Sequence, residues 1–315
     1  SIIMDLAIII PAYKVDFIDQ TFESILKQTN QNFHLYVFDD ASPYPVREHY
    51  DKYFFNKTNC SYFRFEKNLG GKNLAEHWER CVHKTKEDWF WLFSDDDIMS
   101  PNCVDSILNV MNKTTSDVLR TALYSFKDND PRSSVKLNFE DNLDSFGFFE
   151  KLVLGKIDAR MPEFIFRRAK FELVHGYVKF DLAWRSDNAT VMLMTYPNFI
   201  QTLSDCSVFW RSSGVNISKI KDSKILARKN NSTIAFFSWV DRFYNNNNVK
   251  YGLSNMKLLK VYASWMEYPN SEFSFKQRYS DLRKMPNTAN FINKICLAYW
   301  TSLNFMRFIK HFILH

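Results

Sequence analysis

An α/β fold built on a mostly parallel sheet is predicted by three observations. Short continuous apolar runs, such as Leu6-Ala7-Ile8-Ile9-Ile10 and Trp89-Phe90-Trp91-Leu92-Phe93, read as strands buried on both faces. Segments with apolar residues three and four apart lie between such runs, as helices do. The runs also stop abruptly, at Pro11, at Asp39-Asp40 and at Ser94-Asp95-Asp96-Asp97.

In chain order, the first run is a strand closed by Pro11, and Asp16 is expected to cap a helix carrying Phe17, Ile18, Phe22, Ile25 and Leu26. Phe33-His34-Leu35-Tyr36-Val37-Phe38 is the next strand. A right-handed βαβ crossover then puts both strand ends on one sheet edge. Tyr62-Phe63-Arg64-Phe65 is a third strand, followed by the turn Asn68-Leu69-Gly70-Gly71 and a helix over 73–85. The fourth strand, Trp89 to Phe93, delivers the acidic triplet. Because ligands of open α/β sheets bind beyond the carboxyl ends of strands, Tyr13, Asp40, Asn68 and Asp95 to Asp97 converge on one crevice.

Beyond Pro101 the pattern gives a helix at 102–111, a strand at 118–126, a polar loop at 128–142 and helical patterns across 146–176. Trp184-Arg185-Ser186-Asp187-Asn188 opens an apolar helix at 189–195, and 201–210 reads as a returning strand. From Ser218 the chain reads as helical, with a loop at 245–248. Two domains follow, residues 1–218 and a basic, aromatic-rich helical region at 219–315.

With 30 Phe, 15 Tyr and 8 Trp against 7 Gly, the chain is neither a disordered tail nor a flexible linker. Its net charge of +6 is uneven: residues 1–218 hold 25 Lys and Arg against 30 Asp and Glu, and 219–315 hold 16 against 5. The basic end suits an anionic membrane surface or a phosphate-bearing acceptor; with no nucleic-acid motif beside it, no nucleic acid is expected. Five scattered Cys without a C-x-x-C pair, and no signal peptide ahead of the first strand, predict a reduced, cytoplasmic chain. Residues 292–314 repeat apolar positions at helical spacing between Lys294, Arg307, Lys310 and His311. That segment reads as an amphipathic helix that either lies on a membrane or packs on the domain.

Three adjacent carboxylates repel one another and need a counter-charge, most simply a divalent cation with a phosphate-bearing ligand. The competing reading is a solvated acidic turn ahead of the next helix. No Walker A, G-x-S-x-G or G-x-G-x-x-G run occurs.

Six pieces stand in the order of one family: Ile8-Ile9-Ile10-Pro11-Ala12-Tyr13, Ser24-Ile25-Leu26-Lys27-Gln28-Thr29, Phe38-Asp39-Asp40-Ala41-Ser42, Asn68-Leu69-Gly70, Phe93-Ser94-Asp95-Asp96-Asp97 with Pro101, and Ala183-Trp184-Arg185-Ser186-Asp187-Asn188-Ala189. Over about residues 4–218 the chain resembles the family 2 inverting glycosyltransferases, whose fold is GT-A, here with a helical C-terminal extension. The resemblance implies a metal-dependent inverting transfer of a sugar from a nucleoside-diphosphate donor to a hydroxyl of a glycan or lipid-linked glycan, in cell-surface polysaccharide synthesis. Uridine and thymidine donors both fit.

By that resemblance Pro11, Ala12, Tyr13, Asp39 and Asp40 cradle base and ribose, with Tyr13 and Asp40 reading the base. Asn68 and Lys72 lie toward ribose and diphosphate. The triplet corresponds to the D-x-D element that holds Mg²⁺ or Mn²⁺: Asp97 is the expected direct ligand, Asp95 a ribose or second metal contact, and Asp96 either faces away or supports the helix. Asp187 matches the catalytic base, although Ser186 stands where the family has Glu. It is also placed to cap the helix that follows. Trp184, Arg185, Trp210 and Arg211 are expected walls for sugar and acceptor. Two other readings are a nucleotidylyltransferase, against which the glycine-free loop Pro11 to Asp16 argues, and a non-catalytic sugar-nucleotide scaffold.

Overall fold

A computed structural model of the chain describes residues 5–127, 130–212, 222–268 and 275–286. The chain divides into two compact units. One comprises Ser1–Lys179 and Ser186–Gly214, the other Phe180–Arg185 and Val215–His315. The second unit thus takes a six-residue piece from a region that the sequence boundary at 218 assigns wholly to the first.

In the first unit, β1 (Leu6–Ala12), α1 (Ile18–Leu26), β2 (His34–Asp39), α2 (Val46–Phe54), β3 (Cys60–Arg64), α3 (Leu74–His83) and β4 (Trp89–Leu92) form repeated βα crossovers. β3, β2, β1 and β4 are neighbours in that order, all parallel, with Ile8 opposite Leu35 on one side and Trp91 on the other. Leu6 through Ile10 are all fully buried, as a strand covered on both faces must be. Ile18, Phe22 and Ile25 of α1 pack in the same core as Leu6, Ile8 and Ile10.

The helix α1 begins one residue later than expected: Phe17 occupies the cap position and no side chain caps it, so the assignment of Asp16 is corrected. The helix α2 was not anticipated, although Val46, Tyr50 and Phe54, its buried face, stand four residues apart.

After β5 (Ile98–Met99) and α4 (Cys103–Met111) come β6 (Val118–Lys127), β7 (Val135–Lys136), α5 (Ser145–Val153), β8 (Phe164–Arg167), α6 (Arg168–Leu173), α7 (Ser186–Thr195) and β9 (Ile200–Ser212). The sheet continues β4-β8-β6-β9-β5, with β7 on β6. β8 is antiparallel to both of its neighbours, whereas β9 runs parallel to β6 with a bulge opposite Thr121 and Ala122. The helical reading of 146–176 therefore needs correcting at β8: Phe164-Ile165-Phe166 is too short an apolar run for periodicity to separate strand from helix, and pairing with β4 and β6 decides it.

The second unit contains α8 (Ser223–Asn246), α9 (Asn255–Trp265) and α10 (Phe275–Leu282). Asp222 caps α8 by accepting from the N–H groups of Lys224 and Ile225. The expected amphipathic helix at 292–314 lies outside the described residues. Among the described residues no helix is long and apolar enough to cross a membrane.

Candidate active site

The carboxyl ends of β1, β2 and β4 are joined by side-chain bonds. Asp95, just past β4, accepts on Oδ2 from the backbone N–H groups of Tyr13 (2.9 Å) and Lys14 (3.1 Å). Ser42, past β2, donates its hydroxyl to the carbonyl of Tyr13 and accepts from the N–H of Tyr44. The rings of Tyr13 and Tyr44 meet edge to face at 6.3 Å, and Tyr13 is 39% exposed. An exposed aromatic face thus stands beside the acidic loop, fixed to it through two N–H bonds.

Asp40 turns inward. Its Oδ1 accepts from the Leu69 N–H (2.9 Å) and the Arg80 guanidinium (2.5 Å), and its Oδ2 from Asn68 Nδ2 and the Gly70 N–H, both at 2.8 Å. Only 2% of the residue is exposed. All four acceptor positions are used, so Asp40 acts here as the anchor of the Asn68-Leu69-Gly70 turn, and a direct base contact requires one of these donors to leave. Asn68 is spent on the same turn, its Oδ1 accepting from the Gly71 N–H. Asp39 is equally internal: Tyr62, Arg64 and the Ser42 N–H all donate to it. Ala12 is buried and Pro11 pairs within the sheet opposite Phe38. Lys72 is exposed and precedes Asn73, the cap of α3.

The acidic loop is sorted by its partners. Asp97 is 1% exposed, with the Arg211 N–H on Oδ1 (2.8 Å) and the Ser94 hydroxyl on Oδ2 (2.6 Å). Each of its oxygens thus takes one protein donor, and the group braces the loop against β9. Arg211 is fully buried and donates to the Asp96 carbonyl and to Gln20. Asp95 and Asp96 are the partly exposed members.

Burial raises the pKa of all three. It takes Asp95 to about 6, helped by the charge of Asp96 and opposed by the Tyr13 and Lys14 N–H groups. Asp96 is raised by burial against Ser94 and Arg211, and Asp97 is raised well above the carboxylate range by burial and the Asp96 charge. A loop in which ionisation is this costly favours a cation beside it. Among the described residues no three His, Cys, Asp or Glu side chains form a ready metal cage. A hard divalent ion at a diphosphate needs only one or two carboxylates, the rest coming from phosphate and water, so Asp95 and Asp96 fit that donor set.

Asp187 lies in the first turn of α7, half-buried, with Oδ1 accepting from the N–H of Asn188 at 2.9 Å. It is thus inside the helix rather than its cap. Trp210 packs partly buried against the core under the Arg160 guanidinium. Trp184 and Arg185 belong to the second unit, where Arg185 lies over the rings of Trp184 and Trp265 and Lys229 over Trp184. Ser94, Arg64 and Arg80, which hold the acids, were not anticipated. Ser94 adjoins the triplet, but the two arginines come from β3 and α3 and carry no local signal.

His77 of α3 sits behind Asp40, 3.6 Å away, and accepts on Nδ1 from Arg80 Nε at 2.9 Å. Burial lowers its pKa to about 4; Asp40 opposes this shift and Arg80 adds to it. Because the unfolded chain takes this proton first, the stability due to neutral His77 is complete above pH 6.5 and is lost as pH falls toward 4. The loss is expected to reach about 2–3 kcal/mol. Urea unfolding of wild type and His77→Gln from pH 7 to 4.5 checks it: the difference between them should change by that amount, and parallel pH profiles would exclude it.

The glycosyl transferase family 2 model matches residues 7–178 of the chain. No curated protein matches it. Among solved structures, S. aureus TarS 1-349 is similar with a TM-score of 0.55 and 16% identity, over 89% of this chain and 87% of that one. The same protein in complex with UDP-GlcNAc gives 0.55 and 15% over the same shares. Mannosyltransferase PcManGT from Pyrobaculum calidifontis, in complex with GDP-Man and Mn²⁺, gives 0.54 and 12% over 95% and 80%. At these identities the likeness is one of fold. With the family model covering more than half of its length and the βα crossovers ending in this acidic loop, the chain belongs to glycosyl transferase family 2, and it is a glycosyltransferase of GT-A fold.

Proposed function

We propose that the chain transfers one sugar, with inversion, from a nucleoside-diphosphate donor to a hydroxyl of a glycan or lipid-linked glycan. The observation that carries this reading is the pair of N–H bonds from Tyr13 and Lys14 to Asp95, which sets an exposed ring against two partly exposed carboxylates on one sheet edge. The base lies on Tyr13, and Asp40 and Asn68 shape the pocket behind it. UDP-sugars are the favoured donors, a choice supported by the UDP-GlcNAc bound by TarS.

The carboxylate of Asp187 takes the proton of the acceptor hydroxyl as its oxygen forms a bond to the anomeric carbon. The bond from that carbon to the diphosphate breaks on the opposite face, and the nucleoside diphosphate leaves with the electron pair. Mg²⁺ or Mn²⁺, when held by Asp95 and Asp96, supplies charge neutralisation for the diphosphate. The Mn²⁺ in the Pyrobaculum mannosyltransferase complex supports this choice of ion.

Release of UDP from UDP-sugars with Mn²⁺ and a glycan acceptor tests the activity. Asp96→Ala is expected to raise the Mn²⁺ concentration for half-maximal rate at least tenfold, a change of about 1.4 kcal/mol. Asp97→Asn should lower Tm while leaving that concentration within about twofold. The reverse pattern would make Asp97 the ligand in place of Asp96, and EDTA-resistant transfer would exclude a metal.

A further inference from the structure

A chain of contacts that lies wholly within the first unit ties the first turn of α7 to α3. It starts at Glu79 of α3, a carboxylate 9% exposed. Gly176 holds a left-handed backbone at φ 86°, and a Cβ there would overlap that carboxylate, so glycine is what lets residues 176–179 lie against it. Glu79 Oε1 accepts from the Tyr177 N–H at 3.2 Å, and Oε2 pairs with the Lys179 ammonium. The buried Tyr177 ring stands edge to face with Trp78 at 5.8 Å and Phe171 at 5.0 Å. Backbone, charge and ring thus fix the segment together.

The next link is a hydroxyl. Val178, between the two residues that Glu79 holds, donates its N–H to Thr190 Oγ1 at 3.0 Å, and Thr190 in turn donates to the Ser186 carbonyl at 2.7 Å. Thr190 and Ser186 are both fully buried. A helix threonine that bonds back four residues is common and marks nothing by itself. Here the same oxygen also accepts an N–H from another segment, so it works as donor and acceptor at once, in the turn that carries Asp187. Losing the hydroxyl would leave the Val178 N–H without its acceptor and take a bond from the carbonyl just ahead of Asp187.

We infer that Thr190 is a positioning residue for transfer: its hydroxyl locks the first turn of α7 onto the backbone that Glu79 anchors, and so fixes where the Asp187 carboxylate stands. The inference deepens the proposed function and rests on the reading of Asp187 as the base. Thr190 acts through Ser186 and the turn, not on the substrates.

Steady-state transfer from a UDP-sugar, below the Tm of each protein, is measured for the full chain and its Thr190→Val, Thr190→Ser, Glu79→Ala, Thr190→Val/Glu79→Ala and Asp187→Asn variants. Valine keeps the branched shape and loses both bonds, whereas serine keeps the hydroxyl. The expected result is a kcat about tenfold lower in Thr190→Val with donor KM within about twofold, recovery to within about threefold of wild type in Thr190→Ser, and a smaller loss in Glu79→Ala that does not add to that of Thr190→Val. A purely structural role would lower Tm and leave the kcat of the folded protein unchanged. Wild-type kcat in Thr190→Val, an equal loss in Thr190→Ser, or a loss carried by donor KM overturns the inference, and with Asp187→Asn still impaired the base reading stands. Where Thr190→Val does not fold, Glu79→Ala decides, and wild-type kcat in that variant overturns the inference. If Asp187→Asn turns over like wild type, the base reading fails and the inference with it.

Discussion

Asp187→Asn is expected to lower kcat by roughly 10² to 10⁴, the range that a positioned general base contributes. Asn matches Asp in shape and keeps an oxygen for the N–H of Asn188. What Asn lacks is a site for the acceptor's proton. The attacking oxygen must then bond to carbon while still protonated, and the barrier rises by the amount the base removed. In the proposed reading the donor is held by other groups, Tyr13 and the acidic loop, so the thermal shift produced by UDP should match that of wild type. Turnover within tenfold of wild type, or loss of the UDP shift, would remove Asp187 from the role.

The largest effect on stability is expected from Arg120→Met. Arg120 of β6 is 4% exposed and Glu163, just before β8, is fully buried; the guanidinium donates to Glu163 Oε2 at 3.1 and 2.8 Å. The other oxygen of Glu163 accepts from the N–H of Arg160, and the Phe139 ring lies 3.8 Å from the Arg120 guanidinium carbon. Burial raises the pKa of Glu163, and Arg120 is the main influence pulling it down. Without Arg120 the carboxylate is stranded in the interior, at a cost of about 3–5 kcal/mol. That is a large part of the roughly 5–15 kcal/mol that holds a domain folded.

In the variant Glu163 titrates above its unfolded value, so protonation favours the folded state. The deficit should therefore shrink as pH falls. Urea titration at pH 7 and pH 5 measures both effects, and Arg120→Met/Glu163→Gln should recover much of the loss because it removes the stranded charge. A deficit under 1 kcal/mol at pH 7 would show that the interior solvates Glu163 by other means.

The parallel strands were legible because each is an apolar run that stops at Pro or Asp, and the convergence of Tyr13 with the acidic loop followed from topology alone. The roles within the loop were not. Asp95, Asp96 and Asp97 are the same chemical group three times over, and what separates them is which donors reach each one. Asp97 is internal because the N–H of Arg211 arrives from β9, 114 residues away. Asp40 is filled because Arg80 reaches it from α3. A local pattern reports residue type and spacing, and neither fixes such partners. β8 escaped for a related reason: four residues carry too little periodicity, and only the edges of β4 and β6 make them a strand.

The place of β8 also sets a schedule for synthesis. Every residue of β4 is buried, and one of its edges is satisfied by β1, which precedes it in the chain. The other edge waits for Phe164–Arg167. At 5–20 residues per second the ribosome needs roughly four to fourteen seconds to make the intervening chain. Throughout that interval the nascent protein carries an open, aromatic strand edge of the kind that recruits other chains. The order of strands that builds the finished sheet therefore leaves the half-made one with an unpaired edge until β8 is synthesised.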